Sequence, residues 1–69
     1  MSIVQRNIIR IIDDKGLVKK KVAKRANMKP QALSDIMAGR KVIRADMVPS
    51  IANALGVGVN ELFREDEEA

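Results

Sequence analysis

The sequence contains no cysteine, no histidine, no tryptophan and no tyrosine, and its one aromatic residue is Phe63. Without cysteine there is no disulfide, no thiolate nucleophile and no thiolate metal site. Without histidine the commonest general base and metal ligand is missing as well. Ser2, Ser34 and Ser50 have no evident activating partner. An enzyme is therefore not expected, and neither is a cofactor or a metal. No apolar run approaches the ~20 residues of a membrane span. Arg6 and Arg10 interrupt the apolar residues of the N-terminus, so a signal peptide is not expected there. A cytoplasmic chain is expected on these grounds.

What is present is aliphatic and charged. The chain has 69 residues, 46% of them hydrophobic, which fits one small domain. A domain of this size buries only ~60% of its unfolded-chain surface, so modest stability is expected. With a single phenylalanine, the core must be built from Ile, Leu, Val, Ala and Met.

The net charge of +4 conceals a strong asymmetry. Residues 1–14 are neutral overall. Residues 15–45 hold Lys15, Lys19, Lys20, Lys21, Lys24, Arg25, Lys29, Arg40, Lys41 and Arg44 against Asp35 alone, a local charge of +9. Residues 46–69 carry −5. Lysines that merely solvate a helix would be scattered. A basic block beside an acidic one is the footprint of a polyanion-binding face.

Five helical patterns appear, and no strand pattern. Ser2 followed by Gln5 reads as a capping box. Val4, Ile8, Ile11 and Ile12 continue at helical spacing until Lys15-Gly16, which predicts a first helix from Ile3 to Lys15. A second helix is expected from Lys19 to Ala26, with Asn27 as a left-handed residue after it. A third runs from Pro30 to Ala38 and ends at Gly39. Leu33, Ile36 and Met37 make its apolar stripe. The two residues between the second helix and the cap of the third allow only a tight turn, and Ala23 is small enough for a close approach. Gly39 to Ala45 is a basic loop. Asp46 is a good N-cap for a fourth helix with Pro49 in its first turn, ending at Gly56. A short fifth helix, Val59 to Arg64, turns Leu62 and Phe63 inward. Residues 1–64 thus form the domain, and 65–69 an acidic, frayed tail.

The third helix begins poorly. Lys29 stands where Ser, Asp or Asn would cap, and its charge opposes the helix dipole. A residue that breaks a local rule often serves function.

The ordered set Gly16-Leu17, Val22-Ala23, Asn27-Met28, Leu33, Ile36, Gly39, Ile51-Ala52, Leu55-Gly56-Val57 and Glu61-Leu62-Phe63 resembles the Cro and phage-repressor type of helix-turn-helix domain, the XRE-like family. The resemblance covers about Val4 to Phe63. It implies an all-α, compact five-helix, lambda-repressor-like fold. The chain departs from that pattern in several places. Val18 and Lys29 replace the usual Ser or Thr before the second and third helices, Lys19 replaces Gln, and Asn27 replaces the turn glycine. Two poor caps would together cost about 2 kcal/mol. Many members pair an Arg at the position of Ile12 with a Glu at the position of Met37. Here both are apolar, an exchange that is often neutral or stabilising, and the two are expected to pack together.

The resemblance implies a transcriptional regulator, a repressor, that reads double-stranded DNA with its third helix in the major groove. Lys29, Pro30, Gln31, Ser34 and Asp35 would then face base edges, with Ala32 at the margin. Gln31 suits adenine, and Lys29 suits guanine or a phosphate. Asp35 could accept from cytosine or simply pair with a neighbouring lysine. Lys19 and Lys20 would reach phosphates near a helix N-terminus, and Arg40, Lys41 and Arg44 would clamp the backbone. Lys24 and Arg25 more plainly solvate the second helix. The resemblance also implies a homodimer on a palindromic operator, with Val57 and Val59 as contact residues, acting on the nucleoid of a bacterium or phage host. Phe63 reads better as core. The competing reading is a protein-interaction adaptor, or antitoxin-like protein, that keeps the fold without reading DNA.

Overall fold

The structure is a computed structural model that describes residues 2–65. Its helices are α1 (Ile3–Lys15), α2 (Lys19–Arg25), α3 (Pro30–Ala38), α4 (Val48–Leu55) and α5 (Val59–Leu62), with one 3₁₀ turn, Ala45–Met47, before α4. No strand occurs among the described residues. The acidic tail expected from residue 65 lies, beyond Glu65, outside them.

Local signals set most of the boundaries. Ser2 Oγ accepts from the Gln5 N–H at 3.1 Å and so satisfies one free donor of α1. The first four helices all stop in the same way. A residue at positive φ follows each (Gly16, Asn27, Gly39, Gly56), and its N–H and the next one turn back to carbonyls of the last turn. At α2, Asn27 sits at φ +62°, its N–H 3.1 Å from the Lys24 carbonyl, while the Met28 N–H reaches the Ala23 carbonyl at 2.9 Å. Asn is the side chain that best tolerates this conformation after glycine.

Helix α2 ends at Arg25, one residue before the expected Ala26, and two further boundaries differ from the sequence reading. Asp46 does not cap α4. It lies within the 3₁₀ turn, and its carboxylate faces Arg44 at 3.5 Å instead. Pro49 does stand in the first turn of α4, where its missing N–H costs nothing. Helix α5 ends at Leu62 rather than Arg64, and Phe63 is 52% exposed rather than inward. Leu62 takes the inward position alone. The chain then leaves the helix and turns Phe63 out.

The core is aliphatic as composition requires, centred on Ile8, Leu33, Ile36, Ile51 and Leu62. Helix α2 packs on α3 and α4, and α1 packs on α3 and α5. Ala23 is fully buried, which permits the close α2–α3 approach. Ile12 is buried, and Met37 is half-buried against the same core, so neither points into solvent. Val57 and Ile3 are also half-buried against it.

Helix α1 also organises the other helix ends. Gln5 Nε2 donates to the Met37 carbonyl at 3.2 Å, Lys15 Nζ to the Leu55 carbonyl at 3.1 Å, and Asn7 Nδ2 to the Leu62 and Arg64 carbonyls at 2.8 Å each. Three side chains of one helix thereby satisfy C-terminal carbonyls of α3, α4 and α5, groups that lack partners within their own helices.

Candidate nucleic-acid interface

Helices α2 and α3, with the turn at Asn27-Met28, present α3 edge-on to solvent. Its inner face is Leu33 and Ile36, neither with measurable exposure. Its outer face is Lys29, Pro30 and Gln31, all exposed, followed by Ser34 and Asp35, each half-exposed. Ala32 is half-buried at the margin. Of the five residues expected at base edges, Pro30, Gln31, Ser34 and Asp35 are exposed or half-exposed on α3, and Lys29 stands exposed just before it. Lys29 makes no side-chain cap bond. Its carbonyl serves the helix instead, accepting from the Ala32 and Leu33 N–H groups. The ammonium is left outward.

Cations of the neighbouring segments are also exposed. Lys19 and Lys20 are exposed at the start of α2, and Lys41 and Arg44 are exposed in the loop after α3. Arg44 pairs with Asp46 at 3.5 Å, and both side chains are more than 70% exposed. An ion pair so exposed is worth about 0–1 kcal/mol and yields readily to a phosphate.

Asp35 has a more definite role than the sequence suggested. Its Oδ1 accepts from Gln31 Nε2 at 3.0 Å, from Arg40 Nε at 3.1 Å and from Arg40 Nη2 at 2.9 Å. Its partner is therefore an arginine beyond the helix end, not a lysine. Its backbone carbonyl accepts from the Arg40 and Lys41 N–H groups at 2.8 and 3.2 Å. The hydrogen bond from Gln31, and then those from Arg40, hold its carboxyl below the usual carboxylate range. Arg40, expected to lie against phosphate, is in this structure folded onto α3. The signal for this cluster was in the sequence. Gln and Asp four apart on a helix face each other, and Arg40 directly follows the glycine that ends the helix.

Val59 is 40% exposed, whereas Val57 is half-buried on the core. Phe63, assigned to the interior by sequence, stands exposed near Val59 in the chain. Val42 is the most exposed large apolar residue, at 84%. Among the described residues no group of acidic side chains is placed to hold a metal ion. No described helix is long and apolar enough to cross a membrane.

Comparison with known proteins agrees with this geometry. The helix-turn-helix family model, HTH_3, matches residues 8–62. No curated protein matches the chain. Two solved structures, both of the clp gene regulator ClgR from Corynebacterium glutamicum, share the fold at 24% identity. One superposes with a TM-score of 0.81 over 88% of this chain and 79% of its own. The other gives 0.80 over 88% and 65%.

Proposed function

We propose that this chain, which belongs to the HTH_3 helix-turn-helix family of non-enzymatic, DNA-binding regulators, acts as a small repressor that lays α3 in the major groove. The observation that carries this reading is the division of α3. One side is buried to zero exposure at Leu33 and Ile36, and the other offers only polar or small groups, with exposed cations at the start of α2 and in the loop after α3. Such a helix has no apolar face left to bury against a protein partner, which favours DNA over an adaptor role.

Lys29, Pro30, Gln31 and Ser34 supply the base contacts, with Asp35 among them. Gln31 pairs with adenine, and Lys29 reaches guanine or the adjacent phosphate. Lys19 and Lys20 approach the backbone on one side of the groove, and Lys41 and Arg44 on the other, with Arg40 beside Asp35. Two copies on a palindrome would double the readout that one nine-residue helix can give. The exposed apolar side chains of Val59 and Phe63 support a contact between those copies. The ClgR structures, named for a gene regulator, support the regulatory reading.

Selection of bound duplexes from a random pool, followed by titration in rising salt, tests this function. The expected result is an enriched palindrome whose affinity falls steeply with salt as lysines displace counterions. Binding of no duplex even at low salt contradicts it.

A further inference from the structure

An acid in the middle of a DNA-facing helix repels the phosphates around it, so Asp35 must return something for that cost. Its contacts show what. Oδ1 gathers Gln31 Nε2 at 3.0 Å and both Arg40 nitrogens at 2.9 and 3.1 Å. The Gln31 amide is otherwise exposed and would rotate among several orientations. One N–H of that amide is tied to Asp35. Its carbonyl and its second N–H stay available, the donor and acceptor that an adenine edge requires. Arg40, with a side chain 63% exposed, is drawn along α3 rather than out toward a phosphate. Its backbone N–H donates to the Asp35 carbonyl at 2.8 Å, which ties the start of the loop to the helix.

Building on the α3 readout proposed above, we infer that Asp35 is a positioning residue for sequence recognition. It fixes the Gln31 amide for base contact and withholds Arg40 from indiscriminate phosphate binding. Asp35 thus exchanges raw affinity for discrimination. A residue that only stabilised the fold would not have this effect. The helix end is already closed by backbone bonds of Gly39 and Arg40, so the fold does not depend on this carboxylate.

The test compares wild type, D35A and D35N on the selected duplex and on a scrambled duplex of equal length, across a salt series. D35A removes both the charge and the acceptor. It should bind the scrambled duplex more tightly than wild type, with a salt slope steeper by about one as Arg40 joins the backbone contacts. Its preference for the selected over the scrambled duplex should fall about tenfold, the scale of one lost base discrimination. D35N keeps an acceptor oxygen for Gln31 and Arg40 but not the charge. It should also bind scrambled DNA more tightly, while retaining most of the preference. The inference is overturned if D35A weakens both duplexes in equal proportion, or leaves the preference intact. Circular dichroism of both variants excludes loss of fold as the cause. If wild type itself shows no preference, the α3 readout fails and this inference with it. If wild type discriminates and D35A does so equally, the inference alone fails.

Discussion

Arg40 grips Asp35 across the end of α3, with Nη2 2.9 Å from the same carboxylate oxygen that Gln31 holds from the preceding turn. Three residues from two helical turns and a loop become one polar unit on the surface proposed to face DNA. The bond to Gln31 and the charge of Arg40 both favour the ionised acid. The folded-state pKa therefore lies below the ordinary value of 3.8.

The pH dependence follows with a definite sign. A depressed folded pKa gives a stabilising contribution that is present above the unfolded value and is lost as pH falls through the folded one. The cluster should persist at neutral pH and through mild acid, and should open only below the ordinary carboxylate range. An NMR titration of the Arg40 Nε–H resonance checks this. A shift centred between pH 5 and 7 would show that Asp35 is not held in this way.

Asn7 is the next point of leverage. It is 95% buried, and its Nδ2 serves two carbonyls at 2.8 Å. Asn7→Ala leaves those carbonyls without this donor and should cost about 1–3 kcal/mol. Urea denaturation measures the loss. Hydrogen exchange should show α5 opening more readily than α2 or α3, and uniform protection across the helices would refute the special link between α1 and α5.

Asn27 occupies a left-handed conformation at φ +62°. Asn27→Gly should be neutral or stabilising because it removes the Cβ that crowds the following carbonyl, whereas Asn27→Ala should destabilise by about 1 kcal/mol because it keeps that Cβ and loses the short polar side chain that offsets it. The pair of midpoints in urea decides the matter. Equal midpoints would mean that the turn tolerates any residue.

Much of this arrangement was legible in the sequence. The Ser2 cap, the closing residues Gly16, Asn27, Gly39 and Gly56, and the bounds of α1 and α3 depend on neighbours within a few residues. Local chemistry decides them. What the sequence hid depends on distant partners. Gln5 read as half of a capping box, yet its side chain reaches Met37. Asn7 carried no signal, because its acceptors lie at the far end of the chain. Asp46 looked like a cap, but the 3₁₀ turn gave it Arg44 instead. Phe63 reads as inward only if the fifth helix runs on to Arg64, whereas here Leu62 is the buried residue and α5 ends there. The outer face of α3 was legible from helical spacing, and so was the Gln31–Asp35 pair, four apart; that Arg40 folds back onto the same oxygen depends on the path of the loop.

The surface cations and the readout residues should separate in binding. Lys41→Ala should weaken every duplex alike and reduce the salt slope by about one. Gln31→Ala should cost about 1–3 kcal/mol and relax the preference at a single base position. Competition titrations with single-base variants of the selected site distinguish the two. Sequence-selective loss on Lys41→Ala would reverse the assignment.

The central claim is that the outer face of α3 meets DNA. Backbone amide shifts of the labelled protein, recorded while the selected duplex is added, test it most directly. The account predicts the largest changes at Lys29, Gln31, Ser34 and Asp35, with a second set at Lys19, Lys41 and Arg44. Changes confined to Val59, Phe63 and the rest of the α5 end, with α3 silent, would contradict it.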